Sequence, residues 1–387
     1  MVARRHIGPA KILGPAAFAC GLLVQLLTLP AVAGPALLFD ASSGKVLYAE
    51  DQDHLWHPAS LTKIMTAYVA FQAIRDGKIT PETKIVCTED AAKEPPSKVG
   101  LPVGAEMTVE LALKALIVKS ANDVAVMLAQ TIGGNIETFV AQMNATAKRL
   151  GMTRTNFVNP NGLPAPEQVT TARDLALLAR AVVRDFPEYA ELWSMPAFQL
   201  GKRRLASHNS LLRTFEGADG LKTGFICDSG FNVVASATRD GKRLMAVVLG
   251  EPTGHDRSLR AASLLEHGFQ HEGWKSLFDL SPTTLENLPV DANAKAAVSV
   301  RETVLSWDCG YRPRARAADR VRTLKSRAAR AKTRTKTPKD SQQKADAPAA
   351  GESKKTSQSE AKSGKKPPAA AAATAAEKAQ VPKNASN

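Results

Sequence analysis

The sequence predicts a mixed α/β (α+β) fold: a five-stranded antiparallel sheet flanked by helices, with a helical subdomain inserted between its strands. Three observations predict it. Strand patterns occur at both ends of residues 34–275, a long helical block separates them, and turn signals join the strands that are neighbours in sequence. Strands joined by short turns pair in antiparallel fashion, and helices then cover the faces of their sheet.

The first elements are a strand pair and a helix. The stretch "ALLFDASSGKVLYAED" (36–51) is typical of a strand, a Ser-Gly turn and a second strand. Pro58 then precedes "LTKIMTAYVAFQAI", and Gly77 ends that run. Because the run is apolar on nearly every face, we expect a buried core helix.

The middle of the chain, from about 80 to 193, is mainly helical in pattern, and strands return after it. "GLKTGFI" predicts a strand, and "FNVVASAT" with "RLMAVVLGE" predicts a hairpin closed by "RDGK". The amphipathic helix "SLRAASLLEHGFQHEG" closes one domain at 34–275. Residues 276–311 are too few for a second sandwich domain, so we expect a short appendage or linker there.

The amino-terminal residues predict an exported protein. Basic Arg4 and Arg5 precede the apolar "FACGLLVQLLTLPAVAG", which ends in small residues up to Ala33. This order is typical of a secretory signal peptide, here 1–33; the alternative is an uncleaved membrane anchor. We therefore expect the mature protein in the periplasm or on the outer face of the cytoplasmic membrane.

The last 76 residues, 312–387, carry the basic charge of the chain. They hold 20 Lys plus Arg against 6 Asp plus Glu, a net charge of +14 that equals that of the whole protein. They contain no aromatic residue, so we expect a disordered tail. An exported protein meets no chromosomal DNA, so we expect no nucleic-acid partner. The tail is interpreted as contacting an anionic envelope surface, or as a solvated spacer without a partner.

Three cysteines remain after cleavage of the signal peptide, namely Cys87, Cys227 and Cys309. They allow one disulfide, with Cys227–Cys309 and Cys87–Cys227 as the alternatives. No His/Cys cluster has the spacing of metal ligands and no glycine-rich phosphate loop occurs. We therefore expect neither a metal nor a cofactor.

The pattern S-x-x-K occurs five times, beginning at Ser42, Ser60, Ser341, Ser359 and Ser363. Ser42 lies in the predicted turn and the last three lie in the tail, whereas Ser60 lies at a helix start. There Lys63 shares its face. A serine hydroxyl needs a base, and lysine serves as one when burial or a second cation lowers its pKa. Ser60 is thus the candidate nucleophile and Lys63 its base; the alternative is a helix N-cap.

Two further motifs follow in order. "KSANDV" places Ser120 and Asn122 at a helix–helix junction, and the K-T-G of Lys222, Thr223 and Gly224, which occurs once, lies on a strand. A second lysine in the site would favour the free amine of Lys63 and offer a cation to an anionic substrate. Alternatively, Ser120 and Asn122 are turn and cap residues and Lys222 is an exposed strand lysine.

The ordered set S-x-x-K, S-x-N and K-T-G resembles the low-molecular-mass penicillin-binding proteins, the serine-type D-alanyl-D-alanine carboxypeptidases. The resemblance extends over about 34–275, through "ASLTKIMTAYVA", "KSANDVAVMLAQ", "FVAQMNATAKRLGMTRTNFVNPNGLP" and "DGLKTGF". It implies a DD-peptidase/β-lactamase-like fold. It also implies removal of the terminal D-alanine from peptidoglycan stem peptides ending in D-Ala-D-Ala, with β-lactam antibiotics as covalent inhibitors.

The resemblance also assigns roles to residues. Ser60 would be the acyl-enzyme nucleophile, Lys63 its base, and Ser120 a proton relay to the departing D-alanine. Asn122 would bond the substrate amide, Lys222 and Thr223 would hold its carboxylate, and Gly224 would let its backbone lie along the strand. The amides of Ser60 and Phe225 would form the oxyanion hole.

The chain departs from the family pattern in places, and three other functions are considered. Ile226 and Cys227 follow Phe225 where members often have small polar residues, and the β-rich domain and amphipathic anchor of many members are not seen. The closest alternative is a DD-endopeptidase that cleaves cross-links. A β-lactamase would need a glutamate, for which Glu167 is the candidate, and the last alternative is a non-catalytic envelope-binding protein.

Overall fold

The computed structural model describes residues 34–275 and 283–309. The predicted signal peptide (1–33) and basic tail (312–387) lie outside these described residues. At the centre is a five-stranded antiparallel sheet in the order β2-β1-β9-β8-β7. Its strands are β1 Ala36–Asp40, β2 Val46–Glu50, β7 Ala218–Ile226, β8 Gly230–Arg239 and β9 Lys242–Glu251. The predicted fold class is confirmed.

The sheet is covered on both faces because its side chains alternate. Leu37 and Phe39 of β1 belong to one apolar cluster, and Leu38 between them belongs to the other. Helix α1 (Thr62–Arg75) and helix α6 (Ala172–Asp185) contribute to the first cluster, whereas α9 (Gly254–Lys275) contributes to the second. Alternate residues of a strand point to opposite faces, so both helical layers gain a core of their own.

Helix α1 is the core helix that its composition predicts. Eleven of its fourteen residues are buried, from Thr62 to Phe71 and again at Ala73. Such a helix packs on every face, which is why its sequence shows so weak an alternation of polar and apolar positions. The start of α1, which directly follows the turn that carries Ser60, is therefore fixed by packing.

The block between β2 and β7 is mainly helical, as the sequence predicts. Besides α1 and α6, its α-helices are α2 Glu89–Lys93, α3 Val109–Lys114, α4 Asn122–Gly133, α5 Ile136–Arg149, α7 Ala190–Ser194 and α8 Leu211–Thr214. Side chains of Thr88, Thr108, Asn135 and Thr171 cap the first turns of α2, α3, α5 and α6. Two small two-stranded sheets were not predicted: β3 Lys84–Val86 with β4 Glu106–Thr108, and β5 Ala197–Leu200 with β6 Arg203–Ala206.

Within the described residues, no single helix is long and apolar enough to cross a membrane. By length and composition alone, the pair α4 and α5, bent by 87°, passes such a test together.

After α9, residues 283–309, which we name the strap, lie against the domain. Thr284 forms a bridge with Lys45, and the side chain of Leu285 is buried. Further along, Lys295 accepts a hydrogen bond from the amide of Leu55 (2.9 Å), and Leu305 donates one to Pro252 (2.9 Å). The strap thus begins at the β2 edge of the sheet and ends beside the turn between β7 and β8.

Candidate active site

A cavity of about 590 Å³ lies where the end of β7, the start of α1 and the start of α4 meet. Six of the eight predicted site residues line it: Ser60, Ser120, Asn122, Thr223, Gly224 and Phe225. The side chains of Lys63 and Lys222 are buried and hydrogen-bonded to Ser60 and Ser120 respectively. The structure therefore brings all eight residues together.

The backbone around Ser60 is fixed by a close approach of β7. Ala59 has a positive φ of 48°, and residues Ala59–Leu61 form a short 3-10 turn that leads into α1. At Gly224, a Cβ atom would lie 2.9 Å from the carbonyl oxygen of Pro58 and 3.2 Å from the amide nitrogens of Ser60 and Leu61. Such contacts are too short for a side chain, so glycine lets the strand reach the turn that carries Ser60.

Lys63 is completely buried and makes three hydrogen bonds. Its Nζ donates to Ser60 Oγ (2.9 Å), Asn122 Oδ1 (2.8 Å) and the carbonyl oxygen of Asn161 (2.5 Å). Burial, and then the charge of Lys222, hold the pKa of Lys63 well below its usual 10.5. A neutral amine has two N–H groups, which the two carbonyl-type acceptors satisfy, so its lone pair is left for the hydroxyl proton of Ser60.

Ser120 lies at the point where two helices join. A π-helical turn, Ala115–Lys119, ends at Ser120, which has a left-handed conformation with φ 62°. Its side chain is only 6% exposed and accepts a hydrogen bond from Lys222 Nζ (2.8 Å). Asn122 at the start of α4 is held by a bond from Nδ2 to the carbonyl oxygen of Pro95 (2.9 Å). The left-handed residue thereby aims both side chains into the cavity.

Lys222 and Arg257 form a pair of buried cations beside Thr223. Lys222 is 3% exposed and Arg257, on α9, is 7% exposed. Burial and the charge of Arg257 lower the pKa of Lys222 to about 7, and burial lowers that of Arg257 to about 10. No hydrogen-bond partner for Arg257 Nε lies among the described residues. Two desolvated cations that form no ion pair with a carboxylate of the described residues are suited to an anionic ligand.

Three members of this site were missed in the sequence: Arg257, Asn161 and Glu94. Glu94 lies near Lys63 and Asn161, and desolvation raises the pKa of its carboxyl group. Its buried Oε2 has no partner among the described residues. Asn161 lies within the "NPNGLP" stretch that carries part of the family resemblance, which was a usable signal. Arg257 and Glu94 stand in no local motif.

Glu167, the candidate for a β-lactamase-type glutamate, lies elsewhere. Its side chain is exposed and does not line the cavity, and its backbone carbonyl accepts a bond from Asn156 Nδ2 (3.0 Å). A water-activating glutamate has to reach the acyl group on the nucleophile. Glu167 is not placed to do so.

The disulfide joins Cys227 to Cys309, and Cys87 is a buried free thiol. Of the two alternatives that the sequence left open, the structure has the first. The bond attaches the end of the strap to the residue two positions after Phe225, and the strap residues Arg301 and Asp308 line the cavity. Asp51, His54 and Asp291 lie apart from the cavity. The two ring nitrogens of His54 each lie 3.5 Å from a carboxylate oxygen, one of Asp51 and one of Asp291.

Comparison with known proteins gives a consistent result. The family profile of D-alanyl-D-alanine carboxypeptidase matches residues 28–253, more than half of the chain. D-alanyl-D-alanine carboxypeptidase DacC of Escherichia coli K12 is 38% identical over 266 residues, which cover 67% of this chain and 66% of that protein. DacA of Haemophilus influenzae is 38% identical, and the match covers 62% of this chain and 63% of that protein. The chain thus spans slightly less than two thirds of the length of these relatives.

Solved structures agree. Penicillin-binding protein 5 of Haemophilus influenzae has a TM-score of 0.60 at 37% identity, covering 62% of this chain and 71% of its own. Penicillin-Binding Protein D2 of Listeria monocytogenes in its cefotaxime-bound form has a TM-score of 0.57 at 32% identity, covering 61% and 97%. With the site described above, these matches lead to one conclusion: the chain belongs to the D-alanyl-D-alanine carboxypeptidase family.

Proposed function

We propose that the protein is a penicillin-binding serine DD-carboxypeptidase that removes the terminal D-alanine from peptidoglycan stem pentapeptides through an acyl-enzyme on Ser60. The observation that carries this proposal is the buried amine of Lys63, 2.9 Å from Ser60 Oγ. Burial and Lys222 lower its pKa, so a free amine is available to take the hydroxyl proton. Family membership supports the same chemistry.

In acylation, the proton of Ser60 passes to Lys63 Nζ as Oγ attacks the carbonyl carbon between the two D-alanines. The oxygen of the tetrahedral intermediate would be held by the amides of Ser60 and Phe225. One donor of this kind is worth about a hundred- to a thousand-fold in rate. The close contact of Gly224 with the 58–61 turn supports this role because it sets the spacing between the two amides.

The leaving group needs a proton as the C–N bond breaks. Ser120 Oγ accepts from Lys222 Nζ at 2.8 Å and would pass its own hydroxyl proton to the departing D-alanine nitrogen. The proton that Lys63 took from Ser60 would then return to Ser120, so Lys63 is again a free amine when deacylation begins. Lys222, Thr223 and, in addition, Arg257 would hold the terminal carboxylate, and Asn122 the amide that precedes it. A carboxylate there would offset the charge of two buried cations, which gives the site its preference for a free C-terminus.

Deacylation uses the same base in the second half of the reaction. A water molecule gives its proton to Lys63 and attacks the ester carbonyl, and Ser60 Oγ recovers a proton as the C–O bond breaks. The cyclic amide of a β-lactam would engage the same groups, and its carbonyl carbon would acylate Ser60 as the ring C–N bond breaks. Cefotaxime-bound and ampicillin-bound forms are known for the relative from Listeria monocytogenes, which supports this inference.

The nucleophile is tested by labelling with a fluorescent penicillin. We expect the protein to form a covalent adduct and Ser60→Ala to form none. Ser42→Ala is the matched control, since Ser42 begins another S-x-x-K in an exposed turn. Labelling of Ser60→Ala at the level of the control would refute the assignment of Ser60.

The reaction is tested by product analysis on a stem pentapeptide and on a cross-linked dimer. Release of free D-alanine from the pentapeptide is expected. Cleavage of the dimer without release of D-alanine would instead show an endopeptidase. Rapid turnover of penicillin would show a β-lactamase, which the position of Glu167 makes the least supported of these functions.

We further propose an exported location and a contact between the 312–387 tail and an anionic envelope surface. The support is the signal-peptide pattern and the net charge of +14 in the tail, both read from the sequence. Truncation at Arg312 should reduce retention on anionic vesicles in a salt-dependent manner. Equal retention of the full-length and truncated proteins would make the tail a spacer only.

A further inference from the structure

The end of the strap is attached to the turn that follows β7, at the mouth of the cavity. Beyond the Cys227–Cys309 disulfide, Asp228 makes four bonds to the strap. Its carboxylate accepts from Ser299 Oγ (2.6 Å) and from Arg301 Nε (3.3 Å) and Nη2 (3.1 Å), and its carbonyl oxygen accepts from the Val300 amide (3.0 Å). Val304 between these contacts is buried. The strap is thus a fixed wall and not a loose end.

The strap shares the cavity with the catalytic residues. Arg301 and Asp308 line the same space as Ser60, Ser120 and Thr223. Two of the donor nitrogens of Arg301 are used by Asp228, while Nη1 bonds no residue that the structure describes, and the side chain is 53% exposed. Asp308 is also exposed. The wall therefore presents the guanidinium of Arg301, which Asp228 holds, and the carboxylate of Asp308, which is adjacent to the disulfide-bonded Cys309.

The direction of the substrate follows from β7 if the proposed function holds. The terminal carboxylate would lie at Lys222 and Thr223, and the scissile carbonyl at the amide of Phe225. A peptide laid along the strand advances about 3.3 Å per residue, so the part before the scissile bond extends past Ile226 towards Cys227. That is where the strap is attached. The wall faces the side chain of the residue that precedes the D-Ala-D-Ala unit.

We propose that the strap reads this residue, and that Arg301 and Asp308 favour a side chain that ends in both a carboxylate and an ammonium group. Arg301 binds the carboxylate and Asp308 the ammonium. Because Asp228 fixes Arg301 and the disulfide fixes the residue next to Asp308, little ordering is needed on binding. This inference rests on the proposed carboxypeptidase function and adds a specificity element outside the three motifs.

Three matched tripeptides test it, each with an acetylated main-chain amine and ending in D-Ala-D-Ala. The first residue carries the intact zwitterionic side chain, the same side chain with its carboxylate amidated, or the same side chain with its amine acetylated. Release of D-alanine gives kcat/KM for each. We expect the intact substrate to exceed either modified one by about threefold to tenfold, the range for charge-assisted contacts at a partly exposed rim.

The variants separate the two contacts. Arg301→Gln should abolish the preference over the amidated substrate only, and Asp308→Asn the preference over the acetylated substrate only. Arg213→Gln is the control, because Arg213 is exposed on α8 and does not line the cavity. If Arg301→Gln lowers kcat/KM for all three substrates equally, or for none, the assignment of Arg301 is wrong.

The attachment is tested with the double variant Cys227→Ser, Cys309→Ser. We expect both preferences to weaken together while the rate of acylation by benzylpenicillin, which carries a neutral side chain, stays within about twofold. Unchanged preferences would show that the disulfide does not position the wall. Failure of the wild-type protein to release D-alanine from any tripeptide would refute the proposed function. Release without discrimination would refute the strap proposal alone.

Discussion

Replacing Gly224 with alanine tests the contact on which the proposed oxyanion hole depends. The new methyl carbon would lie 2.9 Å from the Pro58 carbonyl oxygen and 3.2 Å from the amide nitrogens of Ser60 and Leu61. All three neighbours are backbone atoms, so no flexible side chain can move aside. Either β7 or the 58–61 turn has to shift by a few tenths of an ångström.

The magnitude has two parts. Overpacking of this kind costs about 1–3 kcal/mol in the free energy of unfolding, and a domain of this size loses about 2–4 °C of Tm per kcal/mol. The shift also separates the amides of Ser60 and Phe225. Since losing one oxyanion donor costs about a hundred- to a thousand-fold, we expect acylation by penicillin to slow by about a hundredfold.

The assay is stopped-flow acylation by a chromogenic cephalosporin, with Tm measured in parallel. Gly220→Ala is the control in the same strand, because its Cβ would lie 3.5 Å from Trp193 Cβ, an ordinary contact. The control should acylate within about threefold of the wild-type rate. Acylation of Gly224→Ala at the rate of the control would refute the argument that this glycine sets the spacing of the hole.

Three further predictions concern charge. With increasing pH, kcat/KM should rise as Lys63 loses its proton and should fall above about pH 7 as Lys222 loses its proton. In the profile of kcat, the falling limb should lie at higher pH, because a bound carboxylate favours the charged form of Lys222. Glu94→Gln removes a negative charge that raises the pKa of Lys63, so the rising limb should move to lower pH, and an unchanged limb would exclude that coupling. Lys222→Met should abolish D-alanine release but increase the free energy of unfolding at pH 6 by about 2–3 kcal/mol, measured by urea titration. This increase should disappear towards pH 10, and a lower stability of the variant at pH 6 would contradict the prediction.

Much of the fold could be predicted because its elements are long and periodic. The 10-residue strands β8 and β9 show a buried run closed by Asp240 and Gly241, whose positive φ values of 51° and 76° fit the tight reversal that Asp-Gly predicts. The missed strands β3 to β6 have only three or four residues each, such as "KIV" and "RRLA". So short a stretch has no period to detect, and its pairing is decided by tertiary contacts.

The site residues also differ in whether the sequence predicts them. Serine, lysine and asparagine at fixed local spacing indicate chemistry by themselves, so the three motifs were visible before their convergence was. Arg257 and Arg301 lie 197 and 241 residues after Ser60 along the sequence, in segments with no catalytic pattern. Their position depends on the path of α9 and of the strap. No local signal carries that information.

The burial of the cationic side chains of Lys222 and Arg257 lowers the stability of the folded protein. Lowering the pKa of Lys222 from 10.5 to about 7 corresponds to about 5 kcal/mol of unfavourable burial. That cost is complete below pH 7, where the folded and unfolded states both carry the proton, and it disappears as the pH approaches 10.5. Bonds to Ser120 and to the Thr223 carbonyl recover part of it, at about 1 kcal/mol each. Under the proposed function, a substrate carboxylate bound by Lys222 and Arg257 would relieve the remainder, so the arrangement that lowers the stability of the protein would favour a substrate with a free C-terminus.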